Sequence, residues 1–377
     1  MKKIILFMAS AAMTICAVSC GAPENGQINF PELKKTGSME LEYAEQFSVD
    51  YYENELAVVT VGDDEQYIIV PETGDIPQDI PDSATVVRKP ADNIYLAASS
   101  AMDLFGGIDA LDAVSLTATM EKDWSLPEIK DAMNSGDILY AGKYSAPDYE
   151  LIIDKDCGLA IESTMIYHSP EIREQLEKMG IPVLVERSSY ESHPLGRMEW
   201  IKLYGLLTGK EDEANSFFEE KTKAVDAFSE DENTGKTAAF FYITSNGLAN
   251  IHKPGDYVSK MIELAGGENV FTAEELNVED NSLSTMNIQF ESFYDLAKDA
   301  DFLIYNSTID GGITSVDELI EKNSLLADFK AVKDGNVWCT EKNMFQQTTG
   351  AADMISDMHL IFTGSSDEAP VYIYRLE

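Results

Sequence analysis

The residue types able to do chemistry in this chain are few in kind. Its 377 residues include 67 Asp and Glu, 27 Lys and Arg, four His and four Cys. The histidines stand apart at His168, His193, His252 and His359, and neither a CxxC pair nor an HExxH motif occurs. A zinc site built on Cys or His is therefore not expected. Ser99-Ser100 follow an apolar run, but no G-x-S-x-G surrounds them, so the strand-turn-helix nucleophile is missing. Acid pairs abound without any recognisable catalytic motif, which leaves a carboxylate-dependent hydrolase as an alternative. What remains is binding chemistry. Trp124, Tyr167, Tyr190 and Tyr242 offer flat apolar faces to a ring-shaped ligand. Arg187 suits an anionic group, and His168 and His252 suit a bond to a metal ion. Each has a plainer reading beside it. Strand-end aromatics usually fill cores, and a lone Arg usually joins a surface pair. His193 and Arg197 open a helix, where capping and packing account for them.

These residues need elements to position them. The stretch from Glu191 to Ser229 reads as two consecutive helices broken at Thr208-Gly209. Pro194 suits a first helical turn and Gly209 a helix C-terminus. Glu211, Asp212 and Glu213 then suit the positive end of a second helix. Its stripe of Ala214, Phe217, Phe218, Ala224, Val225 and Phe228 has helical spacing. Strand-and-helix patterns lie on both sides, so this helix is expected to join two lobes.

Before it come the hairpin signal Gly62-Asp63-Asp64 between two β-rich runs, the core-type strand Asn93–Ala98, and further strands at 114–116, 137–140, 159–161 and 182–185. After it come strands at 238–243, 301–305 and 336–339, and a closing helix over 351–362. Alternating strands and helices argue mainly parallel sheets. The expected fold is α/β: two lobes, each a mainly parallel sheet flanked by helices, joined by one long helix, with an extra N-terminal β-hairpin. The expected divisions are a signal peptide over 1–19, a flexible tether over 20–38, an N-terminal lobe over 39–209 with the hairpin at 47–71, a bridging helix over 210–233, and a C-terminal lobe over 234–377. Ligands of open α/β sheets sit beyond the C-terminal ends of strands. The expected cleft is thus lined by Ser99-Ser100, 117–124, 164–168 and 187–190 on one side, and by 244–252 and 306–308 on the other.

The first residues have a separate task. Lys2-Lys3, the apolar run Ile4–Val18 and the small residues before Cys20-Gly21 have the order of an export signal. They resemble a bacterial lipobox, which implies lipidation at Cys20. The other cysteines to survive processing, Cys157 and Cys339, fall on opposite sides of the bridging helix and are not expected to pair. The net charge of −40 is spread along the chain and repels nucleic acid. It also repels an anionic membrane surface, so a covalent anchor is the natural attachment.

Three stretches carry a wider resemblance. They are Gly180-Ile181-Pro182-Val183, then Leu203-Tyr204-Gly205-Leu206-Leu207-Thr208-Gly209-Lys210-Glu211 followed by Ala214, and Phe329-Lys330-Ala331-Val332-Lys333-Asp334-Gly335-Asn336-Val337. In this order, over roughly Asn93 to Phe362, the chain resembles the substrate-binding proteins of iron-complex and corrinoid ABC importers. The resemblance implies a non-enzymatic, extracytoplasmic lipoprotein, anchored to the bacterial cell membrane and monomeric. It would need no cofactor of its own. Its partners would be a permease with its ATPase subunit and a small-molecule iron complex, with a ferric siderophore ranked first, haem second and a corrinoid third. It further implies one permease-docking glutamate per lobe, matched here by Glu150 and Glu291. The ligand-binding candidates are Trp124, Tyr167, Arg187, Tyr190, Tyr242 and His252. Small lobe motion is expected, because one helix crosses between the lobes.

Overall fold

The computed structural model describes Phe30 and residues 33–377, apart from 79, 82–83, 229–232, 282, 310–311 and 365–368. The signal peptide, Cys20 and most of the expected tether lie outside the described residues.

The chain begins with a five-stranded sheet in sequential order: β1 (Lys35–Ser38), β2 (Phe47–Tyr52), β3 (Ala57–Val61), β4 (Glu65–Pro71) and β5 (Thr85–Lys89). Neighbours are antiparallel except β4 and β5, which run parallel. Two expectations change here. The tether does not reach residue 38, because Lys35–Ser38 is an edge strand, and the hairpin is the middle of a larger sheet. One face, with Phe47, Val49, Val59, Val61, Tyr67 and Ile69, joins the main core. The other, with Tyr52, Val58, Ile68 and Val70, packs under Phe30. Burial on both faces explains why β4 reads as a continuous apolar run.

The N-terminal lobe follows. Its sheet has the order β12-β11-β6-β7-β8, all parallel: β6 (Ile94–Leu96), β7 (Val114–Thr117), β8 (Leu139–Tyr140), β11 (Leu159–Ser163) and β12 (Val183–Glu186). A small ribbon, β9 (Gly142–Lys143) and β10 (Ala146–Pro147), stands apart. The helices are α1 (Met102–Gly107), α2 (Pro127–Ser135), α3 (Tyr149–Asp154) and α4 (Pro170–Lys178).

Three helices leave this lobe: α5 (Pro194–Glu199), α6 (Ile201–Thr208) and α7 (Glu211–Asp226). The Nδ1 atom of His193 caps α5, accepting from the Leu195 N–H at 3.2 Å. Gly209, at φ 72°, ends α6 in the left-handed region. α7 stops at Asp226, short of the expected 233. Its sixteen residues span about 24 Å.

The C-terminal sheet is mixed, with the path β16-β14-β13-β17-β18-β19 and β15 beside β13. Its strands are β13 (Lys236–Ile243), β14 (Ala249–His252), β15 (Gly267–Asn269), β16 (Thr285–Ile288), β17 (Phe302–Tyr305), β18 (Val337–Thr340) and β19 (Ile373–Arg375). β13, β17 and β18 run parallel, while β14, β16 and β19 join antiparallel. Its helices are α8 (Tyr257–Leu264), α9 (Ala273–Leu276), α10 (Phe290–Ala297), α11 (Val316–Lys322), α12 (Lys330–Asp334) and α13 (Ala351–Thr363).

The bridge is more than one helix. α13 packs along α7, α8 and α5, and Lys221 Nζ of α7 meets Asp353 of α13 at 2.7 Å. A single apolar core runs from the N-terminal sheet through α5, α6 and α7 to α8 and α13. Cys157 and Cys339 form no disulfide.

Candidate functional site

Strand order locates the site. In the N-terminal lobe the chain winds one way from β6 to β7 and β8, and the other way from β11 to β12. The loops after adjacent strands β6 and β11 therefore diverge and leave a crevice. The C-terminal lobe has the same reversal between β13 and β17. Residues at 97–101 and 164–168 on one side, and at 244–248 and 306–309 on the other, are the loops that such a pair of crevices presents.

The expected ligand residues divide into two groups. Tyr167 and Tyr190 are 44% and 45% exposed on loops after β11 and β12. Arg187 lies between these loops with its Cζ 4.7 Å from the Tyr190 ring centroid, and its Nε donates to Gln46 Oε1 at 3.3 Å. These three form one cluster on the rim, and exposed Met165 and His168 share it. The other three do not stand open. Trp124 is 1% exposed inside the main core. Tyr242 is half-buried against the C-terminal core. His252 is buried, with Nδ1 at 2.6 Å from Asp256 Oδ1. Burial alone would push the Asp256 carboxyl up, but the His252 bond and charge outweigh it and hold it below the ordinary value. Asp256 also caps α8 through the Val258 N–H at 3.0 Å. His252 thus fixes a helix start and is not presented to a metal. Among the described residues no group of three or more His, Cys, Asp or Glu could hold a metal ion.

The strand-end rule applies to β18 as well, and the loop after it was not anticipated. Residues 343–350 reach across to the N-terminal lobe. The Gln346 amide accepts from the Ser125 N–H at 2.6 Å and donates to the Asp123 carbonyl at 2.8 Å. Thr348 Oγ1 donates to the Ser100 carbonyl at 2.8 Å, and the Thr349 N–H donates to Asp103 Oδ2 at 2.8 Å. Burial raises the Asp103 carboxyl to about 6, against the lowering effect of its bonds to Thr349.

Beside this loop is a pocket to which both lobes contribute. Arg197 of α5, Tyr257 and Met261 of α8, Met344, Phe345 and Met354 line it. Its interior of ≈ 30 Å³ has room for about two waters. The Arg197 guanidinium lies flat on Tyr257, with its Cζ 3.9 Å from the ring centroid. No carboxylate among the described residues comes within 4 Å of it, a limit that the pairs found elsewhere in the chain meet. An apolar pocket with one stacked cation, whose charge also acts on the buried Glu186 and Asp256 carboxyls, can take the anionic edge of a larger apolar molecule. The sequence reads Arg197 as a helix-start residue, since α8, which completes its setting, lies some sixty residues further along.

Glu150 and Glu291 are exposed in the first turns of α3 and α10. Their positions correspond: α3 leads into β11, beside β6, and α10 leads into β17, beside β13. Among the described residues no helix is long and apolar enough to cross a membrane.

Comparison with known proteins agrees with this architecture. An uncharacterized lipoprotein of Methanocaldococcus jannaschii is 24% identical over 91% of this chain and 87% of its own length. A periplasmic haem-binding protein of Vibrio cholerae matches in structure at a TM-score of 0.57 with 17% identity, over 70% of this chain and 97% of that one. A periplasmic catecholate-siderophore binding protein of Vibrio cholerae matches at 0.55 with 16% identity, over 71% and 92%. At that identity the two structures speak for the fold. The sequence model of the Periplasmic binding protein family matches residues 94–343, more than half of the chain. The chain is therefore a member of the periplasmic binding protein family.

Proposed function

We propose that this chain is the extracytoplasmic receptor of an ABC importer. In this reading it captures an anionic iron complex, a ferric siderophore before haem, and hands it to a permease without turnover. The observation that carries the reading is the pocket where Arg197, stacked on Tyr257, meets apolar side chains from both lobes. It takes an anionic edge of the ligand. The body of the complex, too large for the pocket, rests on the exposed rim at Met165, Tyr167, Tyr190 and Phe345. The names of the haem-binding and catecholate-siderophore-binding neighbours support this class of ligand. Cys20 anchors the protein by lipid, a role supported by the naming of its relative as a lipoprotein. Glu150 and Glu291, at corresponding places on the two lobes, dock on basic groups of the permease. Such charge-assisted contacts set register and on-rate more than affinity.

The test is a tryptophan fluorescence titration of the chain lacking its first twenty residues against haem, a ferric tris-catecholate and cobalamin. Saturable one-to-one quenching at micromolar or tighter affinity is expected for at least one of the first two. If neither binds in that range, the reading fails. Multiple turnover of a test substrate would replace it with an enzyme.

A further inference from the structure

The five strands before residue 94 lie outside the family match, yet their β3–β4 turn reaches the rim of the cleft. A Cβ at Gly62, the left-handed first residue of that turn, would stand 3.0 Å from Arg187 Nε. Glu65, the residue that opens β4, accepts from the Tyr167 hydroxyl at 3.0 Å and from Arg173 at 3.1 Å. Its other oxygen accepts from the Tyr67 hydroxyl at 2.6 Å. Tyr67 in turn accepts the N–H of Val185 at 3.1 Å and so pins the sheet's edge strand β12. Asp63 and Asp64 stand exposed at the tip of the same turn. An acidic turn is thus fixed against two rim cations, Arg173 and Arg187, and one rim aromatic, Tyr167.

We propose that the N-terminal sheet is a wall of the ligand cleft, and that Glu65, acting on Tyr167 and Arg173, sets the charge of ligand that the rim accepts. The proposal rests on the receptor reading. Glu65 shares Arg173 with Glu177 and directs the Tyr167 ring without needing to touch the ligand, so it is a positioning residue. With Glu65 neutral, the rim gains net positive charge at unchanged shape. A trianionic ligand then gains affinity, and a neutral ligand of the same size does not.

The experiment compares Glu65→Gln with the unaltered soluble chain, using a ferric tris-catecholate (trianionic) and a ferric tris-hydroxamate (neutral) of similar size. Glu65→Gln is expected to raise the ratio of catecholate to hydroxamate affinity by about three- to fivefold. The expected sign holds for the trianion alone where the neutral probe does not bind. Tyr67→Phe removes a bond to the same carboxylate from its buried side. It is expected to lower thermal stability and leave the ratio unchanged. A ratio unmoved by Glu65→Gln, or moved equally by both variants, overturns the wall proposal while the receptor reading stands. Where the unaltered chain binds neither probe but binds haem, whose propionates are anionic, the same sign is read on haem. Failure to bind the probes and haem alike overturns the receptor reading, and the wall proposal with it.

Discussion

The carboxylate of Glu199, with no exposed surface, accepts the backbone N–H of Tyr43 at 2.8 Å. The same carboxylate takes the N–H groups of Glu42 and Ala44 and the ammonium of Lys202. Glu191 takes the next two, from Glu45 and Gln46, together with the Trp200 indole N–H. Two buried glutamates, Glu191 before α5 and Glu199 at its end, therefore satisfy five consecutive backbone donors of the segment leading into β2. Such donors carry a large penalty when buried unpaired. Gly196 permits the approach, since a Cβ there would sit 2.8 Å from the Tyr43 carbonyl oxygen.

Glu199→Ala strands three N–H groups and Lys202 at once. It should cost about 3–5 kcal/mol of stability, the range for removing one partner of a buried charged contact. Urea denaturation measures this. A loss under about 1 kcal/mol, the size of a surface pair, would show that the Glu199 contacts do not hold the N-terminal sheet.

Glu162 presents the opposite case. It is fully buried, and both carboxyl oxygens lack a partner among the described residues. Burial raises its carboxyl from 4.5 to about 8. The folded chain holds this proton more tightly than the unfolded chain, so the sign follows from linkage. The contribution is fully present below about 4.5 and is lost as pH rises through 8. Glu162→Leu should remove that slope and make the protein more stable at pH 8 than the unaltered chain. Thermal melts across this window check it, and an unchanged slope would place the titration elsewhere.

How much of this was legible depended on the range of the interaction. Local signals read well. Gly209 ends α6, Asp256 caps α8, and the three stretches that carried the family resemblance lie within or next to the matched residues 94–343. β1 could not be read, because all four of its residues are exposed and its KTGS sequence has no apolar alternation. Trp124 was misplaced because a strand-end aromatic gives no sign of whether it turns inward. Arg197 was passed over because the ring beneath it belongs to α8. The cross-lobe bonds of Gln346 depend on two segments more than two hundred residues apart.

Arg197 gives a direct test of the pocket. Arg197→Gln removes the only cation among the described residues that line it and should weaken the proposed anionic iron complex about ten- to hundredfold, the worth of a hydrogen bond to a charged group. Arg197→Lys keeps the charge but loses the planar stack on Tyr257, and should recover only part of the affinity. Arg197 also offsets the buried Glu186 and Asp256 carboxyls, so Arg197→Gln should lower the melting temperature more than Arg197→Lys, and affinities are compared at a temperature where all three proteins are folded. Equal affinity in all three proteins would place the anionic edge of the ligand elsewhere.

The bridge makes the last prediction. α7 is braced along α13 by the Lys221–Asp353 pair, and Thr222 Oγ1 returns to the Phe218 carbonyl at 3.0 Å within the helix. The cleft itself is held by separate contacts, the bonds of Gln346, Thr348 and Thr349 to the N-terminal lobe. Spacing between Glu150 and Glu291 and closure of the cleft therefore rest on different parts of the fold. A Gly-Pro pair in place of Lys221-Thr222 removes a helical N–H, clashes with the preceding turn at a cost of about 3 kcal/mol, and breaks the pair with Asp353. Provided that melting shows the variant folded, ligand affinity should fall only slightly, since the pocket contacts remain. Uptake by cells carrying the cognate permease should fall much further, because the two proposed docking carboxylates, Glu150 and Glu291, on a bent bridge would no longer meet both halves of a two-fold transporter. Titration and uptake measured on the same variant separate the two effects. Equal losses in both would show that α7 shapes the cleft and does not serve as a spacer.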